Sequence, residues 1–318
     1  MSQPLLCCMA LVVTAVTWPV TVCAQTTTIP SRGSAVTKAK PEAQRVFATP
    51  EQAAGELANA IRSNDPTHVH SVLGPVSGKV IHSGDPVQDA AGRKRFLEAY
   101  KTSVKIEPSG DARVTLLIGS EEFPFPFPLV KTTTGWKFDS KAGAEEVLNR
   151  RIGRNERSAI QVCLAYVDAQ REYATKDRDK DGLLEYAQKF VSTSGKHDGL
   201  YWETAEGEAA SPLGPLTTRA KAQGYVNLEP YHGYYYKILT AQGKDNPGGA
   251  YSYIVRGKMI GGFALVAYPA RWGASGAMSF ICNHRGVVYE KNLGKGTVVI
   301  AERMTRYNPD ASWKKSDE

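Results

Sequence analysis

The chain has 318 residues, 42% of them hydrophobic and 22% charged, with a formal net charge of +7 and a mean hydropathy of −0.33. It reads as a soluble globular protein of one large or two ordinary domains. The positive surplus favours anionic partners such as lipid headgroups or cell-wall polymers. The basic residues are scattered among acids, so they form a solvated surface rather than a nucleic-acid site, and no nucleic-acid partner is expected.

Residues 1–24 contain no Lys, Arg, Asp or Glu. The apolar run from Leu5 to Val16 is too short for a membrane span, and Val22 and Ala24 hold the −3 and −1 positions of a small-residue cleavage site. This pattern predicts a secretory signal peptide, a secreted or periplasmic location, and a mature chain with no transmembrane span. Cys7, Cys8 and Cys23 would leave with the signal. Cys163 and Cys282 remain, either as a disulfide between a helix and a strand or as two buried thiols.

Residues 25–46, rich in Thr, Ser, Lys and Pro, read as a flexible tether. Thr49-Pro50-Glu51-Gln52 then starts a helix expected to reach Ser63. Asn64-Asp65-Pro66 turns into a short helix that stops before Gly74. Asp85-Pro86-Val87-Gln88 opens a third helix, to Thr102, with Phe96, Leu97 and Tyr100 on its apolar face. Arg113 to Ile118 reads as a strand. In Phe123-Pro124-Phe125-Pro126-Phe127-Pro128 the prolines share one parity and the phenylalanines the other, which predicts an edge strand or polyproline segment with its rings on one face. Thr134 to Asp139 reads as another strand. Helices followed by a curved sheet resemble the cone of nuclear-transport-factor-two-like domains, and residues 47–152 are assigned to such a domain.

Ser140 to Asn149 reads as a helix, and Arg150-Arg151-Ile152-Gly153-Arg154 as a basic linker at a domain boundary. A long helix then starts at Asn155, with Ile160, Cys163, Val167 and Ala174 as its core stripe. It feeds Asp177-Arg178-Asp179-Lys180-Asp181-Gly182, the front half of a calcium loop. Asp177, Asp179 and Asp181 supply carboxylates at alternate positions, Gly182 permits the turn, and the Leu183 carbonyl and Glu185 complete a candidate Ca2+ site. Gln188 stands where an EF-hand needs a bidentate Glu, so the expected affinity is modest and the role structural. Tyr201, Trp202, Tyr234, Tyr235 and Tyr236 form a candidate aromatic binding surface for sugar rings or a peptide. Strands are expected at residues 234–239, 250–255, 263–268, 277–282 and 287–290, the last two joined by an Asn283–Gly286 hairpin, with residues 314–318 as a tail. No zinc motif, nucleophile elbow or P-loop is present, and no catalytic residue is assigned.

The helix and acidic loop at residues 155–190, together with GGFALVAYPARWGASGAMSFICNHRGVVYEK, resemble the soluble headpiece of type IV pilins and secretion pseudopilins. The resemblance implies a pilin-like module over residues 153–313. Across residues 47–313, segments such as ATPEQAA, IHSGDPV, LNRRIGRNE, GLYW, YHGYYY, MIGGFALVAYPA and MTRYNPDASW resemble the secreted bacterial family DUF2950, whose function is not established. The expected fold class is α+β: a cone-like helix-plus-sheet domain, then a long helix packed on an antiparallel sheet. The expected role is a non-catalytic envelope protein that binds or assembles with another envelope protein or an anionic wall component, stabilised by calcium. The alternative is a small-molecule enzyme or ligand carrier using a pocket in the N-terminal domain.

Overall fold

Proline at the first turn sets all three N-terminal helices. Its fixed φ suits a helix start, and its missing N–H costs nothing there. Thr49 Oγ1 accepts from Gln52 N at 3.3 Å and opens helix α1 (Pro50–Ser63). Asp65 Oδ1 accepts from Thr67 N at 2.9 Å and opens α2 (Pro66–Leu73). Asp85 Oδ1 accepts from Gln88 N at 2.9 Å and opens α3 (Pro86–Thr102). The computed structural model describes residues 43–78, 82–205, 207–225 and 230–316. The expected signal peptide and most of the expected tether lie outside them. Within the last stretch assigned to the tether, Gln44 Nε2 donates to the Phe138 carbonyl at 2.8 Å and Arg45 N to Ser71 O at 2.9 Å, so the folded chain begins earlier than Phe47.

The first sheet is antiparallel. Its strands are β1 (Val104–Pro108), β2 (Arg113–Ile118), β3 (Phe123–Pro124), β4 (Leu129–Thr132) and β5 (Gly135–Phe138). The order is β1-β2-β4-β5, with β3 on the edge of β2. Along β2, Val114, Leu116 and Ile118 turn inward at strand parity. They meet Leu57 and Val72, both fully buried, and Phe138 in the first core; burial of a side chain like Leu57 contributes on the order of 2 kcal/mol. The Phe-Pro run, expected as an edge strand or polyproline segment with its rings on one face, is an edge strand only at its start: Phe123 and Pro124 pair with β2, and Phe125 N donates to Leu116 O at 2.7 Å. Phe127 turns into the core, whereas Phe123 is 56% exposed and lies under the Arg150 guanidinium, 4.9 Å from its centroid.

The basic stretch expected to link two domains is helical. Helix α4 runs unbroken from Ser140 to Tyr173; Gly153 weakens it locally, but the helix is packed in a core on either side of the basic stretch. Arg150 Nε donates to Glu146 Oε1 one turn away at 2.6 Å. One helix therefore serves two cores, with Ala144 in the first and Ala159, Ile160, Cys163, Tyr166 and Val167 in the second.

After α4 come helix α5 (Gly214–Gln223) and β6 (Tyr234–Leu239). Short pairs follow: β7 (Ala241–Gln242), β8 (Tyr251–Ser252), β9 (Ile254–Val255) and β10 (Lys258–Met259). The second sheet is completed by β11 (Ala264–Pro269), β12 (Ser279–Asn283), β13 (Val288–Lys291) and β15 (Lys314–Lys315), in the order β15-β13-β12-β11-β6. Between β13 and β15 lie α6 (Thr297–Arg303) and β14 (Arg306–Tyr307), the latter pairing with β7. Every residue of β11 and β12 is buried, since α4 packs on both strands and α6 also packs on β11. Gly286, at φ 76°, turns the hairpin from β12 to β13. The expected C-terminal tail is in part a strand, with Lys314 and Lys315 paired to Glu290 and Tyr289.

A buried polar clasp ties the start of α3 to the second half of the chain. Asp85 is 1% exposed. Its Oδ2 accepts from Tyr225 Oη at 2.7 Å and from Gly233 N at 3.0 Å. Gln88 Nε2 donates to Asn155 Oδ1 at 3.2 Å and lies 3.1 Å from His232 Nδ1. Asn155 Nδ2 in turn donates to Ser275 O at 2.8 Å. The described residues form one compact unit, and the fold is α+β.

Candidate ligand-binding cavities

Helix α3 is amphipathic at Phe96 and Tyr100, yet not one of its residues is fully buried. Its Phe96, Ala99 and Tyr100 are half-buried against the first core, and the helix also walls a cavity. The cavity has a volume of about 260 Å³, at the small end of ligand pockets. Its floor is aromatic and aliphatic: Phe96, Phe125, Phe127, Val69 and Leu73, with Phe96 and Phe125 centroids 5.5 Å apart and Phe125 and Phe127 5.8 Å apart. Its rim carries four guanidiniums, Arg93 and Arg95 from α3 and Arg151 and Arg154 from α4, against two carboxylates, Asp65 and Asp89. Both acids have other work: Asp65 caps α2, and Asp89 Oδ2 accepts from Ser83 N at 2.9 Å.

On the neighbouring faces of α4 and α5 lies a second, more polar cavity of about 600 Å³. Arg154 lines both. Arg157, Ser158 and Gln161 continue along α4 at helical spacing, Arg219 and Gln223 face them from α5, and Tyr231 and His232 also line the space. The Arg154 guanidinium is held below its ordinary value, first by burial and then by the charges of Arg95, Arg150 and Arg157. His232 is pushed down by burial and by Arg219, with Asp85 opposing. Because Gln88 donates to its Nδ1, the neutral ring carries its proton on Nε2. Its φ of 50° is left-handed, a conformation the clasp at Gly233 and Gln88 holds in place.

Sequence reasoning missed Arg93, Arg95, Arg157 and Arg219. The spacing of Arg154, Arg157, Ser158 and Gln161 on one helical face was a usable signal, hidden by the assignment of Arg150–Arg154 to a linker.

The acidic loop brings its carboxylates together. Oxygens of Asp177, Asp179 and Asp181 all lie within 4.8 Å of one another. Asp177 accepts from the backbone N–H groups of Lys180 and Gly182, each at 2.8 Å, and these bonds hold its carboxyl below the usual range. Lys258 from β10, however, reaches two of the three aspartates. Its ammonium pairs with Asp179, Asp181 and, at 3.5 Å, Glu185. Those bonds raise the Lys258 pKa. Leu183 lies just past the cluster, its N–H donating to Asp181 Oδ1 at 3.0 Å. Gln188 turns away and donates to Gly257 O at 2.8 Å. The oxygen donors suit calcium, but the Lys258 ammonium already engages two of the three aspartates and offsets part of their charge. Lys258→Met should therefore gain a larger rise in melting temperature from millimolar Ca2+, against EDTA, than the native protein does. An equal rise in both proteins would show that the loop accommodates the ion beside the lysine.

The aromatic residues do not share one surface. Tyr234 is fully buried, with Oη donating to Met278 O at 2.8 Å. Tyr236 is half-buried and donates to Tyr231 O at 3.4 Å. Tyr235 faces out beside Tyr268, 5.8 Å between centroids. Tyr201 accepts from Lys221 Nζ at 2.9 Å. Trp202 is stacked on His197, 4.3 Å between centroids, with Arg178 5.0 Å from its ring. Cys163 and Cys282 are free, buried thiols. Cys282 Sγ donates to the Cys163 carbonyl at 3.6 Å, and burial together with Cys163 pushes its pKa up, so it is unreactive as a thiolate.

Among the described residues, no helix is long and apolar enough to cross a membrane. No curated protein and no solved structure matches the chain. The family described as "Protein of unknown function (DUF2950)" matches residues 44–316, which include both cores, the clasp and both cavities. The chain therefore belongs to the DUF2950 family.

Proposed function

We propose that this is a non-catalytic binding protein of the cell envelope, secreted or periplasmic, that holds a small anion with an apolar body in the cavity under α3. One observation carries the reading: an aromatic floor rimmed by four guanidiniums. A helix that fully buries none of its residues leaves apolar surface unsatisfied, and a ring or short acyl chain would cover it. Arg93 and Arg95 make no ion pair with any described residue. A carboxylate about 4 Å from one of them gains on the order of 4 kcal/mol in a partly buried setting, before desolvation is subtracted. The location of the cavity in the N-terminal half favours a ligand carrier over recognition through the aromatic residues, which the fold divides between core and surface.

The test compares octanoate, phenylacetate and neutral octanol by calorimetry on the native protein and on Arg93→Glu/Arg95→Glu. Both anions should bind, octanol about tenfold more weakly, and the charge reversal should weaken octanoate about tenfold or more. Equal affinity for octanol and octanoate would remove the guanidiniums from the account. No binding of any of the three at millimolar concentration would sink the reading.

A further inference from the structure

We infer that the groove between α4 and α5 is a second, separate binding site, built for a phosphoryl group carrying two negative charges. The inference rests on Arg157 and Arg219, which do not line the cavity under α3, and shares only Arg154 with it. Arg157 projects from α4 and Arg219 from α5, with Arg154 at the end the two spaces share. Among the described residues, no Asp or Glu lines the groove. None of these three arginines forms an ion pair or hydrogen bond with a described residue. Other basic residues do pair with a carboxylate, among them Arg45, Arg113, Arg150, Lys105, Lys189 and Lys258. Three cations left facing one space repel one another, and a ligand of opposite charge relieves that repulsion.

The shape of the donor set selects the ligand. A planar carboxylate satisfies one guanidinium fork. Here the donors come from two facing helices, with the Ser158 hydroxyl and the Gln161 amide on the α4 wall and His232 beside Tyr231. The His232 Nε2–H is free to donate because Nδ1 is engaged by Gln88. A tetrahedral oxyanion presents oxygens in three dimensions and can meet donors on both walls. Val162, Leu216 and the Tyr231 ring provide an apolar wall for an organic substituent. The clasp through Asp85, Gly233 and Gln88 holds the His232 corner in place, so the groove is formed before ligand arrives.

Inorganic phosphate, phenyl phosphate and benzoate would be titrated against the full described chain by calorimetry at low salt. The same would be done with Arg157→Glu, Arg219→Glu and, as a control for net charge, the remote exposed Lys295→Glu. Octanoate is titrated in parallel. Both phosphates should bind at millimolar concentration or below, benzoate about tenfold more weakly. Each arginine reversal should weaken phosphate about tenfold while octanoate affinity and melting temperature hold, and Lys295→Glu should change neither. Phenyl phosphate about tenfold tighter than inorganic phosphate would assign the groove to phosphoesters, and equal affinities would assign it to the free ion. The inference is overturned if neither phosphate binds at millimolar concentration, if benzoate binds as tightly, or if Arg219→Glu leaves phosphate affinity unchanged. It is also overturned if that reversal weakens octanoate and phosphate alike, since the two ligands would then share one site.

Discussion

Asp85→Ala is expected to cost about 4 kcal/mol of stability, read from urea unfolding of the native and variant proteins. The carboxylate is 1% exposed and accepts three bonds: from Gln88 N, Tyr225 Oη and Gly233 N. Alanine leaves three donors facing a space that water cannot readily fill, and it removes the N-cap of α3, worth about 1 kcal/mol alone. Asp85→Asn keeps one acceptor but sets an amide donor against the Gly233 N–H or the Tyr225 hydroxyl, and should lose roughly half as much. Tyr225→Phe removes one partner and should lose about 1 kcal/mol. Because Asp85 raises the Tyr225 pKa, second only to burial, the hydroxyl stays protonated and donates throughout the ordinary pH range. Asp85→Ala and Tyr225→Phe touch the same bond, so their combined cost should fall short of the sum. A loss below about 1 kcal/mol in Asp85→Ala would show that the clasp does not hold the two cores together.

Gly143→Ala should lower stability by about 2–3 kcal/mol, the opposite of what helix propensity predicts. Gly143 lies inside α4 at an ordinary helical φ, where alanine normally gains about 1 kcal/mol. Here a Cβ would stand 2.1 Å from Phe127 Cδ1 and 2.2 Å from its Cγ. Phe127 is 2% exposed and boxed in by Phe125 at 5.8 Å between centroids, so the ring cannot swing clear. Either α4 lifts or the ring is driven into the cavity under α3. Phe127→Leu, which makes room, should cost less in the Gly143→Ala background than in the native one, by at least about 1 kcal/mol in a double-mutant cycle. If Gly143→Ala is neutral or stabilising by thermal melting, the close helix-to-ring contact is not a feature of the folded protein. The same cycle reports on the cavity, because a ring displaced into it would also weaken octanoate binding.

Much of the local structure is written in short segments. Thr49-Pro50, Asp65-Pro66 and Asp85-Pro86 place three helix starts to the residue, because capping and proline chemistry act within one turn. The alternation in Arg113–Ile118 and the Asn283–Gly286 turn place strands for the same local reason. The Asp177–Gly182 loop is likewise legible, since its carboxylates bond backbone within the loop itself. Lys258 beside it is not legible, because it arrives from a strand 79 residues beyond Asp179.

What the sequence determined by itself was therefore the α+β class, the family, the element order and the caps, each fixed by interactions a few residues long. What only the tertiary structure decided was everything that depends on which faces meet. Arg150–Arg154 proved helical because packing on two cores, not local composition, holds α4 straight through. Tyr234, Tyr235 and Tyr236, adjacent in sequence, were divided between core and surface by the sheet. Arg154, Arg157 and Arg219 came to line one space only when α5 was laid beside α4. A charge in a sequence has no neighbours until the chain folds, and the energy that makes a binding site is the energy of those neighbours.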